Sequence, residues 1–169
     1  MAKQDQAYVD EKGRPRWRRN DQVAEYLKQL YDFLVIGGYE ETHARRYPQL
    51  AYTISRHPGL IDQLHAEGRL AEIQGIGGVV AQIIGECIET GSSGKMEEFA
   101  QSTPKTVLEL TAIPGLGAKT ARTLYAEHGI DGLAALKKAQ DEGRLAGIKG
   151  MGKKTLATIA QHIEENLGG

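Results

Sequence analysis

Apolar residues along this chain recur at helical spacing and are cut into short lengths by glycine. Val23, Tyr26, Leu27, Leu30, Phe33 and Leu34 lie three and four positions apart, which predicts a helix capped by Asn20 or Asp21 and stopped at Gly37-Gly38. Helical pattern resumes over residues 51–56; Pro48 conflicts with one continuous helix from Glu41 and suits a first-turn position instead. Short pieces follow at 60–66 and 69–72, then a longer one at 79–89 that "TGSSG" stops, and another at 96–100. "STP" at Ser102 predicts a capping hydroxyl and a first-turn proline for the next helix. Beyond it come a helix ending near His128, one over 131–141, a short piece after Arg144 and a last helix over 153–166. No five-residue stretch alternates with period two, so the expected fold class is all-α with no sheet.

One device occurs three times between these helices. Residues 73–84 read "IQGIGGVVAQII", 113–124 "IPGLGAKTARTL" and 148–159 "IKGMGKKTLATI". Each has a helical lead-in, an apolar residue, then Gly-apolar-Gly and a second helix. The glycines permit a tight turn and let a foreign backbone approach, because no Cβ stands in the way. The unpaired N–H groups that open the following helix point at the same spot, and the helix dipole favours an anion there. Ile76, Leu116 and Met151 are placed to pin each turn to its own helices. Gly75, Gly77, Gly115, Gly117, Gly150 and Gly152 are therefore candidate phosphate-backbone contacts. The copies are not equivalent: the second adds Lys119 and Arg122, the third Lys149, Lys153 and Lys154, and the first has no cation in its opening helical turn.

Composition narrows the picture. With 169 residues, 40% hydrophobic and 25% charged, the chain can bury a core as one domain or two small ones. The net charge of -1 excludes condensation on nucleic acid by bulk charge, so any such binding is local and geometric. "KGRPRWRR" at Lys12 is the densest basic run; it reads as a disordered solubilising arm or as a DNA contact with Trp17 stacked on an exposed base. The longest apolar runs fall short of the roughly 18 residues a membrane span needs, and a cytoplasmic location is expected. Cys87 is the single cysteine and sits among isoleucines, a buried and unreactive thiol. The five histidines have no paired spacing, and "TGSSGK" lacks the spacing of a phosphate loop and reads as a flexible connector between two halves.

The repeats resemble helix-hairpin-helix DNA-binding motifs, and residues 21–166 resemble the N-terminal part of the family X, polymerase beta-like, DNA polymerases. "RHPGLIDQLHAEGRLAEIQGIG" and "LTAIPGLGAKTARTLYAEHGIDGLAAL" carry most of that resemblance. It implies tandem helix-hairpin-helix modules in two small helical subdomains: a basic arm at 1–19, a lyase-like domain at 20–91 with the first hairpin, and a second domain at 95–169 with the other two. It also implies a monovalent cation, Na+ or K+, held by backbone carbonyls of Ala71, Ile73 and Ile76, and of Thr111, Ile113 and Leu116. Tyr47 and Lys95 match family positions that hold a 5′-phosphate, with His43 where a basic residue is usual.

The departures from the family shape the expected function. A palm with paired metal-binding aspartates would follow, yet the sequence ends at Gly169 and offers no Asp-x-Asp pair, so polymerase chemistry is not expected. The lyase nucleophile position falls on Ile83 and a neighbouring phosphate-binding lysine position on Val79, and isoleucine cannot form an imine. The expectation is a non-catalytic, sequence-independent DNA-binding protein that recognises gapped, nicked or ended duplexes in repair, beside a separately encoded repair enzyme and away from membranes. A protein-interaction scaffold is the main alternative, and a residual deoxyribose-phosphate lyase using Lys95 is the third.

Overall fold

The structure, a computed structural model, describes residues 6–168, so the first five residues of the basic arm and the final Gly169 lie outside it. Among the described residues no helix is long and apolar enough to cross a membrane. The chain folds into two compact units: residues up to Tyr31 with Glu41–Glu98, and Asp32–Glu40 with the residues from Phe99 onward. These boundaries differ from a simple cut near residue 91. In the second unit, Tyr39 stacks edge-on against Phe99, and Arg122 Nη1 donates to Ile36 O at 2.8 Å, which ties residues 32–40 to it.

The first unit opens with strands β1 (Ala7–Val9) and β2 (Pro15–Trp17), an antiparallel pair in which Tyr8 faces Arg16. The expectation of no sheet, and of a disordered arm, is thereby corrected. Three-residue strands are too short to show a period, and this pair is held by its turn: the Asp10 carboxylate accepts from the backbone N–H of Lys12 and Arg14. The basic run folds back onto the unit. Arg16 is 7% exposed and pairs with Asp10 at 2.9 Å, Trp17 Nε1 donates to Pro58 O at 2.9 Å, and Arg19 pairs with Asp62 at 2.9 Å.

Helix α1 (Arg18–Ile36) follows without a break, and Gly38 at φ +97° ends it, where the N–H of Tyr39 reaches back to Leu34 O. Asn20 lies within α1 rather than capping it. Its Oδ1 accepts from Ile61 N at 2.8 Å and its Nδ2 donates to Gly59 O at 2.8 Å, so it caps α4 (Ile61–Ala66) from a distant point in the chain. Asp21, the other proposed cap, accepts from the Tyr8 hydroxyl. Between these helices lie α2 (Glu41–Ala44) and α3 (Arg46–Ser55), with Pro48 in the first turn of α3. A 3-10 turn at Leu70–Glu72 leads to α5 (Gly78–Thr90), and α6 (Gly94–Ala100) comes next. Leu27, Leu30, Tyr47, Ile54, Ile61 and Ile84 fill this unit's core. The "TGSSG" segment lies within the first unit and is tied down, which corrects its reading as a connector: Ser93 is 3% exposed and its hydroxyl lies 2.6 Å from that of Tyr26. Burial pushes the Cys87 thiol up to about 11, in keeping with an unreactive side chain.

In the second unit, a 3-10 turn at Lys105–Val107 runs into α7 (Leu108–Thr111). Pro104 occupies the cap position and no hydroxyl caps it, contrary to the "STP" expectation. Helices α8 (Ala118–His128), α9 (Leu133–Asp141) and α10 (Lys153–Leu167) complete the unit around Leu110, Ile113, Leu124, Leu136 and Ile159. The piece expected after Arg144 is a series of turns rather than a helix.

Candidate nucleic-acid interface

The three glycine turns have the same backbone. Gly75, Gly115 and Gly150 take φ of +91°, +81° and +90°, the left-handed region that glycine enters without steric cost. In each turn the N–H of an apolar residue donates across it: Ile76 N to Ile73 O, Leu116 N to Ile113 O and Met151 N to Ile148 O, all at 3.1 Å. A positive φ at the third position defines a type II-like turn, and Pro114 occupies the second position, where proline is favoured. Ile76, Leu116 and Met151 are buried as the sequence pattern requires, at 5%, 3% and 6% exposure.

The second glycine of each turn is a different matter. Gly77, Gly117 and Gly152 are the N-caps of α5, α8 and α10 with φ of -92°, -87° and -75°, values open to any residue. A Cβ built on any of the three would meet nothing within 4 Å. Neither the backbone nor internal packing demands glycine there, while its absence of a side chain leaves the helix entrance open to a close external contact. The N-cap glycine of each helix has no side chain to cap the opening turn, and the helix dipole favours an anion at these three N-termini.

Within the second unit the hairpins lie beside each other's helices. The nearest neighbours of a Cβ on Gly150 would be the side-chain atoms of Thr120 in α8, at 3.7 Å. Pro114 of the second hairpin lines a cavity of about 200 Å³ with Thr158, Gln161, His162 and Glu165 of α10. Thr120 had no signal in the sequence, because its place depends on this packing. Lys119, Lys149, Lys153 and Lys154 are all exposed around these two hairpins. The opening turn of α5 after the first hairpin carries no cation, and Val79 there is 71% exposed.

Other candidate residues lie elsewhere. Arg122 is exposed, and its Nη1 donates to Ile36 O, a tie within the second unit that the sequence pattern did not signal. Tyr47 is 1% exposed, which buries the ring expected to hold a phosphate. Lys95 is half-buried on α6, and His43 is exposed on α2. Ile83 is 4% exposed on α5, so the lyase nucleophile position is an apolar core site. The Ile73 and Ile113 carbonyls each accept one turn hydrogen bond and keep a second lone pair, and among the described residues no group of three His, Cys, Asp or Glu side chains could hold a metal.

Three copies of one glycine turn, each opening onto an uncapped helix, define a helix-hairpin-helix protein. The SAM-like helix-hairpin-helix tandem family matches residues 67–127 and 107–165, and the chain belongs to this family. It is also similar to the DNA polymerase/3′-5′ exonuclease PolX of Bacillus subtilis (strain 168), 32% identical over 96 residues that cover 57% of this chain and 17% of the polymerase. The expected resemblance to family X polymerases is borne out by that match. A second relative is the Holliday junction branch migration complex subunit RuvA of Leptothrix cholodnii, 35% identical over 63 residues, 37% of this chain and 33% of the subunit. The matched region thus amounts to about a sixth of one relative's length and a third of the other's.

Proposed function

We propose that this chain binds interrupted duplex DNA, gapped, nicked or ended, by gripping backbone phosphates at the second and third hairpins. The observation that carries this reading is the open second glycine before an uncapped helix, with exposed lysines beside it. Main-chain donors and lysines reach phosphates and carry no base-edge code, so binding is independent of sequence. The names of the two relatives, a DNA polymerase and a Holliday junction subunit, support a role in repair or recombination. The reading includes a cytoplasmic location, a separate repair enzyme as partner, and an alkali cation on the carbonyls of Thr111, Ile113 and Leu116, with Ala71, Ile73 and Ile76 the equivalent set at the first hairpin. It excludes lyase chemistry, because Ile83 supplies no amine; borohydride treatment on abasic DNA should trap no adduct, and an adduct lost in Lys95→Ala would reverse that.

Fluorescence anisotropy on gapped, nicked and intact duplexes at two salt concentrations tests the central claim. The useful variant is Gly117→Asp with Gly152→Asp, since aspartate is a favourable N-cap and keeps both helices while placing a carboxylate where a phosphate would sit. The expected result is salt-sensitive binding that favours the interrupted duplexes and weakens at least roughly tenfold in the folded variant. Equal binding by variant and wild type would move DNA off these hairpins. No binding at low salt would leave the hairpins as a protein-interaction scaffold.

A further inference from the structure

The sequence holds seven tyrosines, two phenylalanines and one tryptophan, all within the described residues, and of these only Tyr52 is exposed, at 60%. It lies on α3, whose opposite face buries Tyr47, Leu50, Ala51 and Ile54 in the first unit. Arg45, Gln49, Tyr52 and Arg56 are all exposed, and at positions i, i+4, i+7 and i+11 they fall within about 60° of one another around the helix axis. The Arg56 guanidinium lies 3.6 Å from the centroid of the Tyr52 ring, and its Nη1 donates to Tyr52 O at 3.3 Å and to Ser55 Oγ at 3.1 Å. The pair is therefore held in place with most of the tyrosine still open. Among the described residues no carboxylate pairs with Arg56, whereas Arg45 is bound to Glu41 at 2.9 Å. Leu50 on the same helix meets the first hairpin, 3.2 Å from where a Cβ on Gly75 would stand.

A cation stacked on an exposed aromatic ring suits a partner that is both flat and anionic. We propose that Tyr52 and Arg56 form a stacking platform for an unpaired nucleobase, so that the first unit holds the single-stranded segment of an interrupted DNA. Tyr52 supplies the stacking surface, which every base can use whatever its identity. Arg56 backs the ring and meets the adjoining phosphate. This extends the reading of the chain as a DNA-binding protein and rests on it for the class of ligand, but it uses a surface distinct from the lysine-bearing hairpins.

The test is anisotropy of a labelled short oligothymidylate and of an intact duplex, with Tyr52→Ala, Tyr52→Phe and Arg56→Ala, each checked for folding by circular dichroism. Tyr52→Ala should weaken oligothymidylate binding roughly tenfold with an unchanged salt slope, because a stacking contact and no phosphate contact is lost. Tyr52→Phe should bind as wild type does, and Arg56→Ala should lower the slope by about 0.7. Duplex affinity should be the same in all three. Oligothymidylate affinity that ignores Tyr52→Ala, a phenylalanine variant as weak as the alanine one, or wild-type protein that does not bind the oligonucleotide would each overturn the platform. If duplex binding depends on Gly117 and Gly152 while Tyr52→Ala changes nothing, only the platform falls. If oligothymidylate binding needs Tyr52 and the duplex is not bound, the hairpin reading falls and the platform stands.

Discussion

Asn20 is fully buried within α1, and its amide satisfies the first N–H of α4 and the carbonyl of Gly59. Alanine there would leave the buried Ile61 N–H without its partner and take a donor from the half-buried Gly59 carbonyl, so Asn20→Ala should cost about 1–3 kcal/mol, read as a lower urea midpoint at unchanged slope. Asp10 works by charge instead. The backbone N–H of Arg14, with further help from the Arg16 guanidinium and the Lys12 N–H, holds its carboxyl well below the usual carboxylate range. A carboxyl lowered on folding binds protons more readily in the unfolded chain. Its stabilisation is thus complete above the ordinary carboxylate value and is lost as pH falls through the depressed one. The stability difference between wild type and Asp10→Asn should accordingly be flat at neutral pH and shrink only under strong acidification, measured by unfolding across pH.

At the scale of the element, each hairpin separates two duties between its two glycines. Gly75, Gly115 and Gly150 sit at positive φ, so alanine at any of them should cost about 1–2 kcal/mol of stability through backbone strain. Gly77, Gly117 and Gly152 have ordinary backbone angles and open surroundings, so alanine should cost less than about 1 kcal/mol, mostly from a poorer N-cap. In the second and third hairpins that methyl group would nonetheless stand where the proposed phosphate contact brings a DNA backbone close. Gly117→Ala and Gly152→Ala should therefore weaken duplex binding with little change in melting temperature, while Gly115→Ala and Gly150→Ala should lower the melting temperature first. A thermal melt beside a duplex titration separates the two. The helices themselves were legible because their apolar spacing is local. The two short strands were not, because they depend on the Asp10 turn and on Arg16 being buried against Ser55 O.

For the whole molecule, affinity for DNA should be a sum of separate phosphate contacts, so it falls linearly in log salt and each lost contact flattens the line. Lys153→Ala should reduce the slope on duplex DNA by about 0.9, while substitution of Lys137, which is paired with Asp141 on α9, should leave it unchanged. The same lysines illustrate how far the chain could be read in advance. Its helical class, the three turns and their buried pinning residues follow from patterns a few residues long, where glycine, proline and apolar spacing act through the local backbone. Tertiary structure decided which polar groups remain available: it drew Arg122 onto Ile36 O, buried Tyr47, folded Arg16 and Arg19 onto Asp10 and Asp62, and left Tyr52 outside. A side chain's partners are set by residues distant along the chain, and a periodic pattern contains no record of them. The sequence by itself determined where the hairpins are, since they are backbone devices, and only packing determined which side chains around them are left exposed.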